Sequence, residues 1–462
     1  MQKTVVLLVV GLAGKMIGDD TPNLARLAGR GKQLPLKTIT PAVTCSVQAT
    51  FMTGTLPSSH GCVGNGWYFR DLAEVWLWRQ PEQLVAGEKI WDAAKKKDST
   101  FTCAKTFWWY NMYSTADYQV TPRPMYPVDG RKLPDIWTWP TKLRDDLQEK
   151  LGQFPLFHFW GPTADIRSSQ WIADSALEID RKYNPTLQLV YLPHLDYNVQ
   201  RLGPDDPAVA DDLRQIDRVC GKLIDHFERQ GTRIIVLSEY GITPASKPVH
   251  INRALRGKGW IKYRLEEGHE MFDAGASDVF AVADHQIAHI YVKNEELIPE
   301  VIETVEALDG VERVLDAQGK KEYGLDHPNS GELVAIAKPD AWFTYYYWLE
   351  DKRAPDYART VDIHRKPGYD PVELFLNPRL PLIKARVALK LLRKIAGFRT
   401  VMDLIGLDAS LVRGSHGRIT DDPREGPVFI TSEPGLLGRK RQVAAVDVKE
   451  LVLDHIFTEK EK

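Results

Sequence analysis

Residues 187–192, Leu-Gln-Leu-Val-Tyr-Leu, run through Pro193 to Asp196, and residues 233–237, Arg-Ile-Ile-Val-Leu, run through Ser238 to Glu239. Each apolar stretch follows a segment of helical spacing, 167–182 before the first and 207–230 before the second. In the second helix Leu213, Ile216, Val219, Leu223 and Ile224 recur at helical intervals and form a core stripe. This alternation predicts a mostly parallel sheet with helices on both faces, because parallel strands need crossover connections. In such sheets ligands bind beyond the carboxyl ends of the strands. Asp196 and Glu239 fall there. Taken singly, Asp196 also reads as a cap or turn residue, and Glu239 as a surface carboxylate.

Working outward, Val5-Val6-Leu7-Leu8-Val9-Val10 ends in Gly11 and has the β-branched form of a central parallel strand. With Lys3 in front it imitates a signal peptide, but the run is too short to span a bilayer and has no small-residue cleavage site. Thr21-Pro22 opens a helix reaching about Gly31. Pro41-Ala42-Val43 leads to Thr44, where a further helix begins, with Gly54 placed to end it. A hydroxyl at that point sits over unpaired backbone N–H groups at the positive end of the helix dipole, which favours a phosphate or an attacking alkoxide. Thr44 thus reads either as an ordinary N-cap or as a nucleophile. Asn65, in Gly64-Asn65-Gly66, reads either as a left-handed turn residue or as a donor to a phosphoryl oxygen.

The ordered set of opening strand, Thr-Pro-Asn-Leu (21–24), Thr44, Met-Thr-Gly (52–54), His-Gly (60–61) and Gly-Asn (64–65) resembles the nucleotide pyrophosphatase/phosphodiesterase branch of the alkaline phosphatase superfamily. The likeness runs from residue 3 to about 71 and returns near 196, 239 and 416. It implies an alkaline phosphatase-like α/β fold in which Thr44 attacks phosphorus, Asn65 steadies the oxyanion and two divalent metal ions bind the phosphate. Zinc is the expected ion, with manganese and magnesium as alternatives. The family pattern gives one ion the threonine, a first-strand Asp and a later Asp-His pair; the other takes an Asp, a His four residues on, and the His of Gly-x-His-Gly. Asp196 and His416, in Gly414-Ser415-His416-Gly417, match. The first-strand Asp is Val10, the second ion's His is Gln200, and Asp-His-Gly is Glu239-Tyr240-Gly241. His250, Asp362 and His364 lie near matching segments, and an extended Asp-x-His would put Asp362 and His364 on one face. The expected centre is therefore a remodelled one built from Asp196, Glu239, His364 and His416.

The implied function is metal-dependent hydrolysis of a phosphodiester or pyrophosphate bond. A phosphonate or phosphomonoester hydrolase on the same scaffold, and a catalytically degenerate phosphate-ligand binding protein, are the alternatives. A small phosphate-containing molecule is the expected partner. The formal charge of −2 over 462 residues offers no global field for nucleic acid or an anionic membrane. Cys45, Cys62, Cys103 and Cys220 are widely spaced and form no CxxC, which points to a reducing cytoplasm. The expected division is core 1–66, an aromatic-rich insertion 67–165 over the site, core 166–250, a small α+β cap 251–331, and core 332–462. Within the cap, a strand over 277–293 would carry His285 and His289 on one face. A further strand is expected over 332–349. Residues 382–397 form an amphipathic basic helix carrying Lys384, Arg386, Lys390, Arg393 and Lys394, read as a solvated face because no bulky aromatic anchor falls within it.

Overall fold

The computed structural model describes residues 1–128 and 130–459. Its main sheet has nine strands, ordered Val443–Ala444, Lys32–Lys37, Val428–Thr431, Arg233–Leu237, Thr4–Val9, Leu187–Leu192, Cys103–Thr106, Tyr118–Pro122 and Ile136–Trp139. The three central strands are parallel, with Val9 opposite Leu192 and Leu8 opposite Leu237. All six residues of Thr4–Val9 are buried, so the strand is covered on both faces. Each fully buried valine or leucine there contributes about 1.5–3 kcal/mol, which makes this strand the anchor of the sheet. The aligned register also means that Val10, Pro193 and Ser238 leave the sheet side by side, so the three loops they open emerge at one edge.

The helices before the two diagnostic strands are Ile166–Tyr183 and Val209–Arg229, within two residues of the expected ranges. The helix expected from Thr21-Pro22 is Pro22–Arg30, but Thr21 does not cap it. Asp217 does, its carboxylate accepting the Asn23 and Leu24 N–H groups at 3.1 and 2.9 Å.

Three expectations need correction. Residues 67–165 are not simply an insertion over the sheet: strands 103–106, 118–122 and 136–139 belong to it, and the hairpin Gly66–Phe69/Glu74–Leu77 pairs outside it. Residues 277–293 are two strands, Val279–Asp284 and Ile287–Val292, joined by a turn in which His285 has φ 61°. His285 and His289 therefore do not share a strand face. Residues 332–349 break into Leu333–Ala337 and Ala341–Phe343, followed by irregular chain in which Tyr345, Tyr346, Tyr347 and Trp348 are fully buried.

A second, four-stranded antiparallel sheet runs 279–284, 287–292, 333–337, 311–315. Its apolar core is separate from that of the main sheet and extends from Val249 to Val412. The cap thus reaches past residue 331, because the strand at 333–337 completes its sheet.

Candidate active site

Helix Thr44–Thr53 is buried along its whole length, and Val43, not Thr44, is its N-cap. Thr44 is the first helical residue and makes no capping bond; its Oγ1 lies 3.2 Å from the hydroxyl of Tyr240. One of the helix-end N–H groups with no partner inside the helix, that of Cys45, donates to Asn65 Oδ1 at 2.9 Å. Asn65 is held in turn by Asp284, which accepts its backbone N–H at 2.7 Å and its Nδ2 at 3.0 Å. That bond uses one of the two hydrogens on Nδ2. Gly66 is required by packing: a Cβ there would lie 2.4 Å from the Trp76 carbonyl oxygen of the partner strand.

Beyond the central strands, Asp196 lies in helix His194–Leu202 and Glu239 follows strand 233–237. Both are buried. Asp196 Oδ1 accepts from the Tyr240 hydroxyl at 3.3 Å and Oδ2 accepts from Gln200 Nε2 at 2.9 Å. Burial raises the Asp196 carboxyl to about 7, against the pull of these two donors. Glu239 Oε1 accepts from Gln48 Nε2 at 2.8 Å while Oε2 has no partner. Burial, with Asp196 nearby, pushes its carboxyl well above the usual range.

His416 is delivered by a backbone that only glycine allows. A Cβ on Gly414 would lie 2.3 Å from the Val199 carbonyl oxygen, and Gly417 has φ 113° with Gln286 N 3.0 Å from where a Cβ would sit. The His416 Nδ1 faces the Ala42 carbonyl at 2.8 Å, which assigns the proton to Nδ1. Nε2 is then a buried acceptor without a hydrogen-bond partner, 3.9 Å from Asp196 Oδ1. The ring stacks on Tyr240 with centroids 3.5 Å apart and lies 3.7 Å from the ring of His285. His285 Nδ1 is bonded to Asp284 Oδ1 at 2.8 Å. Burial pulls both imidazoles well below their ordinary value, so they are neutral near pH 7.

Rings continue from this centre toward the aromatic segment. Tyr369 stacks on His285 at 3.6 Å and donates to Gln200 Oε1 at 2.9 Å. Trp78 and Trp160 pack against Tyr369, and Trp78 against Trp109, whose backbone N–H donates to Gln48.

Four of the expected site residues, Thr44, Asp196, Glu239 and His416, gather around Tyr240, and Asn65 stands at the helix end. His364 does not join them. Residues 363–365 form a turn, so the extended Asp-x-His arrangement is absent, and His364 Nδ1 faces the Leu77 carbonyl at 3.3 Å. His250 bonds Thr344 and stacks on Tyr346.

Nor do the residues present fit the expected metal centre. Val10 offers no lone pair, and Gln200 and Tyr240 aim N–H and O–H donors at the Asp196 carboxylate where cations would be bound. Among the described residues no group of three or more His, Cys, Asp or Glu side chains is arranged to hold a metal ion. His364 thus stands apart from Asp196, Glu239 and His416, and the bonds that Asp196 and Glu239 make in this structure are hydrogen bonds to Gln200, Tyr240 and Gln48.

Tyr240, Gln200, Asp284, His285 and Tyr369 also stand at this site, though none was among the expected site residues. Tyr240 and Gln200 read as lost ligands; the one available signal for the others was the adjacent Asp284-His285 pair.

A family model described as type I phosphodiesterase / nucleotide pyrophosphatase matches residues 4–370. The chain is 27% identical over 237 residues to an uncharacterized pyrophosphatase/phosphodiesterase of Schizosaccharomyces pombe, covering 49% of this chain and 41% of that protein. It is 30% identical over 108 residues to GPI ethanolamine phosphate transferase 3 of the same yeast, covering 23% of this chain and 11% of that protein. The chain therefore spans less than half the length of these curated relatives. Among solved structures, murine ectonucleotide pyrophosphatase/phosphodiesterase 5 is similar at 14% identity and a TM-score of 0.58, over 100% of this chain and 96% of that one. An inactive variant of the murine protein in complex with AMP gives 14% and 0.57, with 100% and 96% covered. Phosphonoacetate hydrolase from Sinorhizobium meliloti, in complex with phosphonoformate, gives 14% and 0.61, with 98% and 96% covered. At these identities the likeness is one of fold.

Proposed function

The chain belongs to the type I phosphodiesterase / nucleotide pyrophosphatase family, and on that premise we propose that it hydrolyses a phosphodiester or pyrophosphate bond with Thr44 as nucleophile. The observation that carries this reading is the chain of contacts from Thr44 Oγ1 through the Tyr240 hydroxyl to Asp196 Oδ1. Thr44 attacks phosphorus, its proton passes along Tyr240 to ionised Asp196, and the Asp196 proton then goes to the departing oxygen. A phospho-threonyl group forms as the bond to the leaving group breaks. Water reverses the sequence, giving its proton to Asp196 and releasing Thr44. The remaining Asn65 N–H and the helix-end N–H groups other than that of Cys45 would hold non-bridging oxygens. These are the chain's own groups; the donor set gives no step to zinc, manganese or magnesium. A small nucleotide suits the aromatic wall of Trp78, Trp109 and Tyr369, and AMP in the related murine structure supports that class. Four free, buried cysteines support the cytoplasm as the compartment.

The test is hydrolysis of bis-p-nitrophenyl phosphate and of dinucleotide substrates by the wild type and Thr44→Ala. Turnover should fall by about a thousandfold or more, and its survival would remove Thr44 from the role. Elemental analysis and dialysis against a chelator complete it. Turnover that persists without stoichiometric metal fits the hydrogen-bonded cluster; turnover that needs a tightly bound ion overturns it. Binding of nucleotides with no turnover of any substrate, phosphonates included, would leave a binding protein.

A further inference from the structure

Helix Ile383–Ile395 is turned the opposite way from an ordinary surface helix. At 100° per residue, Ala385, Ala388, Leu389, Leu391, Leu392 and Ile395 fall within one arc of about 160°, which the position of Lys384 in the first turn shares. All six are exposed, whereas Ile383, Val387, Lys390 and Lys394 on the other side are half-buried. Leu389 is 59%, Leu392 63% and Ile395 82% exposed. The apolar patch continues at both ends, with Leu382 81% and Phe398 62% exposed. The bulky aromatic that the helix itself lacks is thus supplied three residues beyond it. Arg386 and Arg393 border the arc on one side, both exposed. The helix is held to the protein from its inner side, where Lys390 donates to the Val401 carbonyl at 2.8 Å and pairs with Asp403.

An exposed apolar face of this size marks a contact surface, and its charge selects the occupant. Between residues 382 and 402 the chain carries Lys384, Arg386, Lys390, Arg393, Lys394 and Arg399 and no acidic residue. Two copies meeting through this face would bring like charges together. A surface that is apolar underneath and negative on top satisfies both halves of the pattern. The helix has 13 residues, about 20 Å of rise, too short to cross a hydrocarbon core. We propose that this helix and Phe398 dock the protein on the surface of an anionic lipid bilayer, with the leucine arc sunk into the headgroup boundary and the arginines at the level of the lipid phosphates. This replaces the reading of the helix as a solvated face. It is independent of the chemistry at Thr44.

The experiment is flotation of the full-length protein with vesicles of phosphatidylcholine alone or mixed with phosphatidylglycerol. Binding should require the anionic lipid and weaken as salt rises. Leu392→Glu combined with Ile395→Glu should lower bound protein by about tenfold or more, and Arg386→Glu with Arg393→Glu should abolish the preference for anionic vesicles. Because all four side chains are exposed, melting temperatures should stay near the wild type, which separates loss of docking from loss of fold. No partition of the wild type to anionic vesicles overturns the proposal. So does binding unchanged by the leucine–isoleucine pair of substitutions. Self-association in sedimentation that those substitutions abolish, without vesicle binding, would assign the face to protein contact.

Discussion

If Asp196 is the proton acceptor proposed above, it couples the chemistry of the site to the stability of the fold, and the two should respond to pH in opposite directions. Its carboxyl stands at about 7 in the folded protein against an ordinary 3.8, because burial disfavours the charge. A raised folded value means that the folded state holds a proton the unfolded chain has lost. The stabilising contribution is therefore complete below the unfolded value and is lost as pH rises through about 7. A proton acceptor, by contrast, works only when ionised. Turnover should rise across the same interval over which melting temperature falls. Asp196→Asn should lessen the decline in melting temperature, with Glu239 and Asp284 carrying the rest, and remove the turnover; a decline as steep in Asp196→Asn as in the wild type would refute the assignment. Thr44, Asp196 and His416, which the sequence singles out because each stands at a strand or helix end in family order, do come together around Tyr240. The contacts of Tyr240 itself were hidden, since the loss of an imidazole is visible in a sequence and the gain of a hydroxyl contact is not. His364 was misplaced for a backbone reason: the Asp-x-His reading needs an extended chain, and residues 363–365 turn.

At the scale of elements, legibility followed burial on both faces. Strands 187–192 and 233–237 have the expected bounds because their apolar runs are covered on both sides, and the helix stripes before them leave little freedom of assignment. The run 277–293 failed because its hairpin turns at His285-Gln286 without glycine, proline or asparagine, so nothing in the local chemistry announces the reversal. The strands between 103 and 139 were hidden by their four- or five-residue length within aromatic, proline-rich chain. Gly417 shows how an element end serves the site. Its φ of 113° and the Gln286 backbone nitrogen 3.0 Å from a Cβ hold His416 against Tyr240 and His285. Gly417→Ala should cost about 1–3 kcal/mol in urea unfolding and lower turnover by displacing the His416 ring. An unchanged midpoint with full activity would show that the backbone there carries no such demand.

The molecule as a whole has two main apolar cores, and the site lies on the seam between them. Thr44, Asn65, Asp196 and Tyr240 come from the main-sheet side, whereas Asp284 ends a strand of the second sheet. Asp284 crosses the seam with two bonds to Asn65 and one contact to His285, all of them buried. Burial raises its carboxyl above the ordinary value, offset in part by the bonds from Asn65. Removing it would leave the Asn65 N–H groups without an acceptor in a dry interior, a loss of about 1–3 kcal/mol for each stranded group. Because those groups join the two cores, Asp284→Ala should weaken the joint more than either core. Hydrogen exchange read by mass spectrometry across a urea series separates the two effects. In the wild type, peptides from strands 4–9 and 279–292 should lose protection together. In Asp284→Ala the 279–292 peptides should open at lower urea than the 4–9 peptides, and turnover should fall because Asn65 is no longer fixed at the end of helix 44–53. If both sets of peptides shift equally, Asp284 stabilises the fold without acting as its joint. If neither shifts, the three contacts contribute nothing that water does not replace.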